Sequence, residues 1–288
     1  LIGFGIRDSI SNMVDINFKE IIQYDGMVNF EDDASNQVKA EALKQIQSTE
    51  NVTDAQMGFV YTTKTYDDKV DETATVHVFD KENVSHEFNL RTRVGHKSIS
   101  LTDDGVIINE KLAENLGVHI GDKITIEDAE GNPHEVNISG ITEMYVNHFV
   151  LMSREYYKEV FGKDAGINTV YLSTMGDEAA QKLLANQIST IQGIEGITLY
   201  SGLLDNFYSM VKGLNGIIWV LIFSSMLLAF VVLSNLITVN ISERQREIAT
   251  LKVLGFRRNE VKKYIFKENN LLAGIGGIVG IPVGIALH

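Results

Sequence analysis

The sequence has 288 residues, a formal net charge of −13 and no cysteine. This excludes thiol catalysis, disulfides and cysteine metal sites, and the acidic balance argues against nucleic acid as a partner, because phosphates require a basic protein face. The charge is unevenly distributed: residues 1–211 hold 16 Lys/Arg and 34 Asp/Glu, whereas residues 212–288 hold 9 and 4. Such asymmetry predicts two different environments along one chain.

The first ten residues, LIGFGIRDSI, begin apolar and then become polar. They lack the basic start and the cleavage site that a signal peptide requires. We therefore interpret residues 1–10 as the end of a preceding membrane helix and expect the sequence to be a fragment of a longer protein.

Residues 11–210 are predicted to form one large α+β domain built from two β-α-β units. In the first unit, QYDGMVNF and QMGFVYTTKTY are strand candidates on either side of a helix over 34–48. In the second, INTVYLST and GITLYS flank a helix over 177–191. Two such halves separated by a long insertion predict a split ferredoxin-like subdomain.

The insertion, at about 73–166, has a different pattern. Short alternating segments such as TATVHVFD, GVIINE and DKITIE are separated by Gly-Asn and Gly-Asp turns, which predicts a small β-rich barrel or sandwich. Within it, KLAENLG is a short helix that Gly117 is placed to end.

No motif in the domain indicates catalysis. The seven histidines are scattered without HxH or HExxH spacing, so we interpret them as solvated or strand-surface residues. GxSxG and Walker A motifs are absent from the sequence, and the acidic stretches DDASN and TYDDKVDE lack the glycine and glutamate of a calcium loop. We therefore expect no enzyme activity, no metal and no cofactor.

Residues 213–240 are predicted to be a transmembrane helix. The 23-residue run IIWVLIFSSMLLAFVVLSNLITV carries no charge. At 1.5 Å per residue it is about 34 Å long, enough to cross a hydrocarbon layer of roughly 30 Å. A buried core helix is the alternative, but few core helices remain uncharged over this length.

A second apolar stretch, residues 271–288, is interpreted as the truncated start of the next transmembrane helix. Gly276, Gly280 and Gly284 lie four residues apart in it, so they share one helix face on which another helix can pack closely.

Between these spans lies ISERQREIATLKVLGFRRNEVKKYIFKE, with eight Lys/Arg and four Asp/Glu. Basic residues in a short loop between two membrane helices indicate the cytoplasmic side. Residues 241–270 are therefore assigned to the cytoplasm, and residues 11–210 to the opposite side of the membrane. The segment could lie at the lipid headgroups, but its mixed charges favour docking to a cytoplasmic protein.

At these residues the sequence resembles the FtsX-like permease family, the MacB-type membrane subunits of ABC transporters. The family pattern, ER-x-x-E-I-small-x-L-K/R-A/V-L/I-G, is matched by Glu243, Arg244, Glu247, Ile248, Leu251, Lys252, Leu254 and Gly255. Arg246 lies within the same stretch. The segment GVIINEKLAENLGVHIGDKITI is similar to the external domain of these permeases.

The resemblance implies a multi-pass protein of the bacterial cell membrane, arranged as a homodimer or a pseudo-dimer of repeats. The residues just named would contact a cytoplasmic ATPase subunit, which would bind the ATP. ATP hydrolysis there would move the external domain, a process called mechanotransmission, to export peptide or lipid-type cargo. Two alternatives remain: a regulator that activates a cell-wall hydrolase without transport, and a sensor or receptor ectodomain. A membrane-bound hydrolase has no supporting motif.

Overall fold

The computed structural model describes residues 2–67, 70–255, 274–283 and 285–286. The chain divides into two compact units, one formed by Asn12–Phe207 and the other by Leu1–Ser11 with Tyr208–His288. The described elements are, in chain order, α1 (Ile2–Asp15), a π-helical segment (Ile16–Ile21), β1 (Gly26–Phe30), α2 (Asn36–Ser48), β2 (Val52–Asp67), β3 (Val70–Phe79), α3 (Val84–Glu87), β4 (Val106–Asn109), α4 (Glu110–Leu116), β5 (Lys123–Glu127), β6 (Pro133–Thr142), β7 (Phe149–Ser153), α5 (Arg154–Phe161), β8 (Thr169–Thr174), α6 (Glu178–Ile188), β9 (Ile194–Leu199), α7 (Tyr200–Glu243), α8 (Gln245–Val253) and α9 (Gly274–Val283).

The N-terminal helix extends well past residue 10. It continues as α1 to Asp15 and then widens into the π-helical segment, which ends where the backbone N–H of Ile22 donates to the carbonyl of Asn17 at 2.9 Å. This wider turn places the whole of Asn17 in the interior.

The two predicted β-α-β units come together as one sheet. Its strand order is β2-β8-β1-β9, with β1 antiparallel to both of its neighbours. Helices α2 and α6 bury apolar residues with Val28, Val170 and Leu172 in a common core, as the helical spacing in the sequence predicts. The α+β fold class is confirmed, and the ferredoxin-like description of this unit stays a prediction.

The insertion forms a closed ring of strands. Around the ring the order is β2-β3-β7-β4-β6-β5, and β5 returns to β2 through Thr65 and Tyr66. Residues Val76, Ile108 and Ile126 are fully buried within its core. The sequence predicts a barrel or a sandwich here. Because β5 pairs with β2 and closes the ring, the insertion is a barrel.

One strand belongs to both parts of the domain. The first part of β2, up to Gly58, pairs with β8, and its second part, from Phe59 to Asp67, pairs with β3. Thus β2 is 16 residues long and joins the sheet to the ring without a break. The sequence-based boundary near residue 73 falls inside β3 rather than in a linker.

Helix α6 begins at a side-chain cap that can be tested directly. The carboxylate of Asp177 accepts a hydrogen bond from the backbone N–H of Ala180 at 3.0 Å. We expect Asp177→Ala to lower the free energy of unfolding by about 1 kcal/mol, because that N–H loses its partner. Asp177→Asn, which retains the acceptor, should cost much less, and denaturant unfolding of both variants measures the difference. Equal losses in the two variants would contradict a capping role.

Candidate functional site

Helix α7 contains the predicted membrane span. It is 44 residues long, and its most apolar 18-residue window has a mean hydropathy of 2.7. Within the described part of the chain, it alone is long and apolar enough to cross a membrane; the apolar α9 is shorter. The window is almost entirely exposed on the single chain, with side chains such as Phe230 72% exposed. Such a surface is typical of a helix that contacts lipid or other helices rather than water.

Helix α1 contacts α7 within the smaller unit. The guanidinium of Arg7 donates to the side-chain carbonyl of Asn215 at 3.3 Å, while Arg7 also pairs with Asp8. The contact lies two residues before the apolar run that begins at Ile217.

The predicted coupling residues follow α7 almost without interruption. Glu243 is the last residue of α7, Arg244 forms a turn, and α8 begins at Gln245. The backbone N–H of Ile248 donates to the carbonyl of Arg244 at 3.0 Å, so the turn still supports the first helical hydrogen bond of α8. The helix stops before Gly255, whose φ of +89° is a conformation that glycine adopts without a Cβ clash.

Two different faces can be distinguished on α8. Arg244, Ile248 and Leu251 are partly buried and lie at i, i+4 and i+7, which is one side of a helix. Glu243, Arg246 and Glu247 are exposed, as are Val253 and Leu254 at its end. The exposed surface therefore presents charges of both signs together with apolar side chains. For Lys252 the structure describes the backbone within α8 but not the side chain, and residues 256–270 of the segment lie outside the described residues.

The glycine face of α9 is open on the single chain. Gly276 and Gly280 are exposed, and a Cβ added to either would meet no described atom within 4 Å. Gly284 lies outside the described residues. Close packing of another helix on this face stays a prediction.

Comparison with known proteins agrees with the motif. Residues 219–288 match the pattern described as FtsX-like permease C-terminal. The last part of the chain is therefore similar to the C-terminal region of FtsX-like permeases. The matched range contains most of the apolar run of α7 and all of α8 and α9, so it covers the predicted coupling residues.

Two relatives are similar to this chain over different lengths. The uncharacterized ABC transporter permease MJ1507 of Methanocaldococcus jannaschii is 24% identical over 193 residues, which cover 63% of this chain and 47% of the relative. The macrolide export ATP-binding/permease protein MacB of Hyphomonas neptunium is 32% identical over 63 residues, 22% of this chain and 10% of the relative. The chain therefore spans about half of the first relative and a tenth of the second.

Solved structures of external domains were also matched. The periplasmic region of MacB from Actinobacillus actinomycetemcomitans aligns with a TM-score of 0.38 at 10% identity, over 66% of this chain and 94% of that chain. The extracellular domain of the noncanonic ABC-type transporter YknZ from Gram-positive bacteria aligns with a TM-score of 0.38 at 15% identity, over 61% and 98%.

The α+β domain holds a buried polar pair that the sequence did not indicate. The imidazole Nδ1 of His77 and the hydroxyl of Tyr171 are 2.7 Å apart, and both side chains are at most 2% exposed. The ring of His77 also stacks on Phe149, with centroids 4.9 Å apart. Burial lowers the pKa of His77 to about 3, so the imidazole is neutral.

A carboxyl group is buried in the same domain. Glu87, in α3, is 2% exposed, and its Oε2 has no hydrogen-bond partner among the described residues. Burial, with a smaller contribution from the charge of Asp54, raises the pKa of Glu87 to about 8. At neutral pH this group is therefore largely protonated.

The interpretation of the histidines as surface residues is wrong for His77. Alternation along β3 places Val76 and Val78 in the ring core, so the sequence suggests that His77 faces outward. That outer face is covered by Phe88 and Phe149 from distant parts of the chain. A strand pattern identifies two faces, but it does not show whether the second face is also covered.

Among the residues that the structure describes, no three His, Cys, Asp or Glu side chains are grouped closely enough to hold a metal ion.

Proposed function

We propose that the chain is the membrane subunit of an ABC transporter. In this role it would transmit the movement that accompanies ATP hydrolysis in a partner ATPase to the external domain. In this proposal the domain around 12–207 lies outside the cytoplasm and α8 lies inside. The protein itself would bind no nucleotide. Its cargo would be a peptide or a lipid-type molecule, as the resemblance to MacB-type permeases implies.

The observation that carries the proposal is the relation between α7 and α8. The long apolar α7 ends at Glu243, and a turn at Arg244 leads directly into a helix that exposes charges of both signs. Exposed charges of both signs suit a complementary protein surface, which they orient and whose association they accelerate. The family pattern covers the same residues.

Helix α7 provides a mechanical route for such coupling. It contains no proline between Tyr200 and Glu243, and none of its described residues departs from helical structure. Sharp bends in helices have identifiable causes, of which proline is the commonest. A push on α8 would therefore reach residues near Tyr200 through one continuous helix. The positive charges after Ser242 support a cytoplasmic position for α8 by the positive-inside rule.

The test is a charge reversal on the exposed face of α8. The full-length protein is reconstituted with its ATPase, and the ATPase activity is measured with wild type, Glu247→Lys and Glu243→Lys. We expect each reversal to reduce stimulated hydrolysis about tenfold, because each replaces an attractive contact with a repulsive one at an interface. Glu41→Lys, an equal reversal at an exposed position of α2, is the matched control and should leave the activity unchanged.

Co-purification of the two subunits distinguishes loss of binding from loss of transmission. Full ATPase association together with full stimulated turnover in both α8 variants would rule out the coupling role. Cargo export, measured in the same vesicles, separates a transporter from a regulator that moves its external domain without transport.

A further inference from the structure

The α+β domain contains a polar cleft that the coupling role does not use. Its volume is about 270 Å³. It lies where three short stretches of the chain, 21–23, 87–91 and 98–101, run side by side. The backbone N–H groups of Gln23, Asn89 and Ile99 donate to the carbonyls of Glu87, Ile21 and Leu90, at 2.9, 2.8 and 2.9 Å. These bonds hold the backbone around the cleft in place, so little ordering is needed when a ligand binds.

Uncharged polar side chains surround a buried apolar floor in this cleft. The floor residues, each at most 5% exposed, are Val84, Phe88, Leu90 and Leu101. The polar side chains are those of Gln23, Ser85, Asn89, Ser98 and Ser100. None of these five side chains forms a hydrogen bond with another residue that the structure describes. The cleft therefore offers three hydroxyls and two amides, and each of these groups can both donate and accept.

The charges at the cleft favour an uncharged ligand. The ammonium group of Lys81 lies in the lining, but it is paired with the carboxylate of Asp103. An anion would therefore have to compete with that carboxylate. The described lining includes no carboxylate of its own, so a metal cation would lack the oxygen ligands that it prefers. An apolar ligand would displace water from the five polar side chains without replacing its hydrogen bonds.

Among uncharged polar ligands, a sugar matches the cleft better than a peptide. An extended peptide has one N–H and one C=O in each residue, and successive residues face opposite ways. A peptide short enough for this cleft would therefore leave several of the five side chains unpaired. A sugar ring carries hydroxyls on most of its carbons, each of which donates and accepts, and its C–H groups can pack on the apolar floor.

We propose that this cleft binds one uncharged sugar residue through the amide of Asn89 and the hydroxyls around it. The bridge between Arg91 and Ser98 sets the register that places Asn89 opposite Ser100, so these two side chains lie on one face. The volume is slightly below the usual range for drug-sized ligands, roughly 300–1,000 Å³, and suits a single sugar ring. The inference is independent of the coupling role, because sugar binding requires neither nucleotide nor ATPase.

The experiment uses the full-length protein in phospholipid nanodiscs, free of glycoside detergents, whose sugar head groups would compete. Saturation-transfer NMR is recorded with glucose, mannose, galactose and N-acetylglucosamine. We expect at least one of them to bind with a Kd of roughly 1 mM, as a ligand of this size allows. Asn89→Ala and Ser100→Ala should each weaken this binding about fivefold, because each removes one hydrogen bond. Asn186→Ala, at an exposed position of α6, is the matched control and should bind as wild type does.

A second pair of variants tests the position of the site. Ser85→Trp fills the cleft and should abolish the saturation transfer, whereas Ser189→Trp adds the same ring at an exposed site after α6 and should not change it. Near-native hydrogen exchange of the domain shows that each variant is folded. Trisaccharides of the sugar that binds then identify its source: tighter binding of the trisaccharide indicates a residue within a glycan, and equal binding indicates a free sugar.

Three results would overturn the proposal. The first is the absence of saturation transfer with all four sugars. The second is transfer that persists unchanged in folded Asn89→Ala and Ser85→Trp, which would place the sugar elsewhere. The third is tighter binding of another class of ligand at the same residues: glucose 6-phosphate would assign the cleft to anions, and tetra-alanine would assign it to a peptide.

Discussion

Replacing Tyr171 with Phe is expected to lower the free energy of unfolding of the α+β domain by about 2 kcal/mol. The substitution removes the hydroxyl that lies 2.7 Å from Nδ1 of His77, while Nε2 already has no partner among the described residues. Both ring nitrogens would then be buried without hydrogen bonds. His77→Phe should cost a similar amount, because it leaves the buried hydroxyl of Tyr171 alone.

The double variant His77→Phe/Tyr171→Phe should recover most of that loss. Replacing both partners by apolar rings of similar shape removes the unpaired groups together, and such exchanges are often nearly neutral. The cycle is measured by urea unfolding of the full-length protein in detergent. At each urea concentration, the unfolded fraction of the α+β domain is determined from its cleavage by a protease. Tyr66→Phe, at a half-buried tyrosine near the end of β2, is the control for loss of a hydroxyl. If the double variant loses as much stability as the two single variants together, the pairing of His77 with Tyr171 is contradicted.

The same cycle has a pH dependence. The pKa of His77 is lowered below its unfolded value near 6.5, to about 3. Its stabilising contribution is therefore complete above pH 6.5 and is lost as the pH falls towards 3. At pH 5 the loss is roughly 2 kcal/mol. The double variant should lack this component of acid sensitivity.

Glu87→Gln is expected to stabilise the domain at neutral pH by roughly 2 kcal/mol. The pKa of Glu87 is raised from 4.5 to about 8, so folding favours the protonated carboxyl. Stability is complete below the unfolded pKa of about 4.5 and declines as the pH rises through the interval up to about 8. Glutamine has nearly the same shape but does not titrate, so the variant should not lose stability over this interval.

Unfolding at pH 5 and pH 8 measures the effect, and the gain from Glu87→Gln should be several times larger at pH 8. Glu82→Gln is the matched control, because Glu82 is exposed and lies in the turn just before α3. A gain that is equal at both pH values would show that Glu87 is not buried in its protonated form.

Local patterns predicted the elements of the fold better than their pairing. Helical spacing identified α2 and α6, and glycine turns separated the strands of the insertion, because both signals depend on residues close in sequence. The sharing of β2 was not predicted, since its two halves pair with strands that are distant from each other in the chain. The assignment of residues 73–166 as a separate insertion reflects this limit.

The predicted coupling residues depended on a different kind of information. A charged stretch between two apolar runs indicated a side of the membrane, and the order of Glu243, Arg244 and Glu247 indicated the family. The burial of Asn17 could not be predicted, because its side chain contacts backbone groups of Tyr145 and Val146, which lie more than a hundred positions later.

The length of β2 determines how the α+β domain can be dissected. If residues 73–166 were removed, Phe59–Lys64 would lose their partners in β3 and stand as a six-residue exposed edge. Such an edge is a template for pairing between molecules, so the shortened protein should aggregate rather than retain a folded sheet. A chimaera that exchanges the ring with that of a relative must therefore carry the second half of β2 with it.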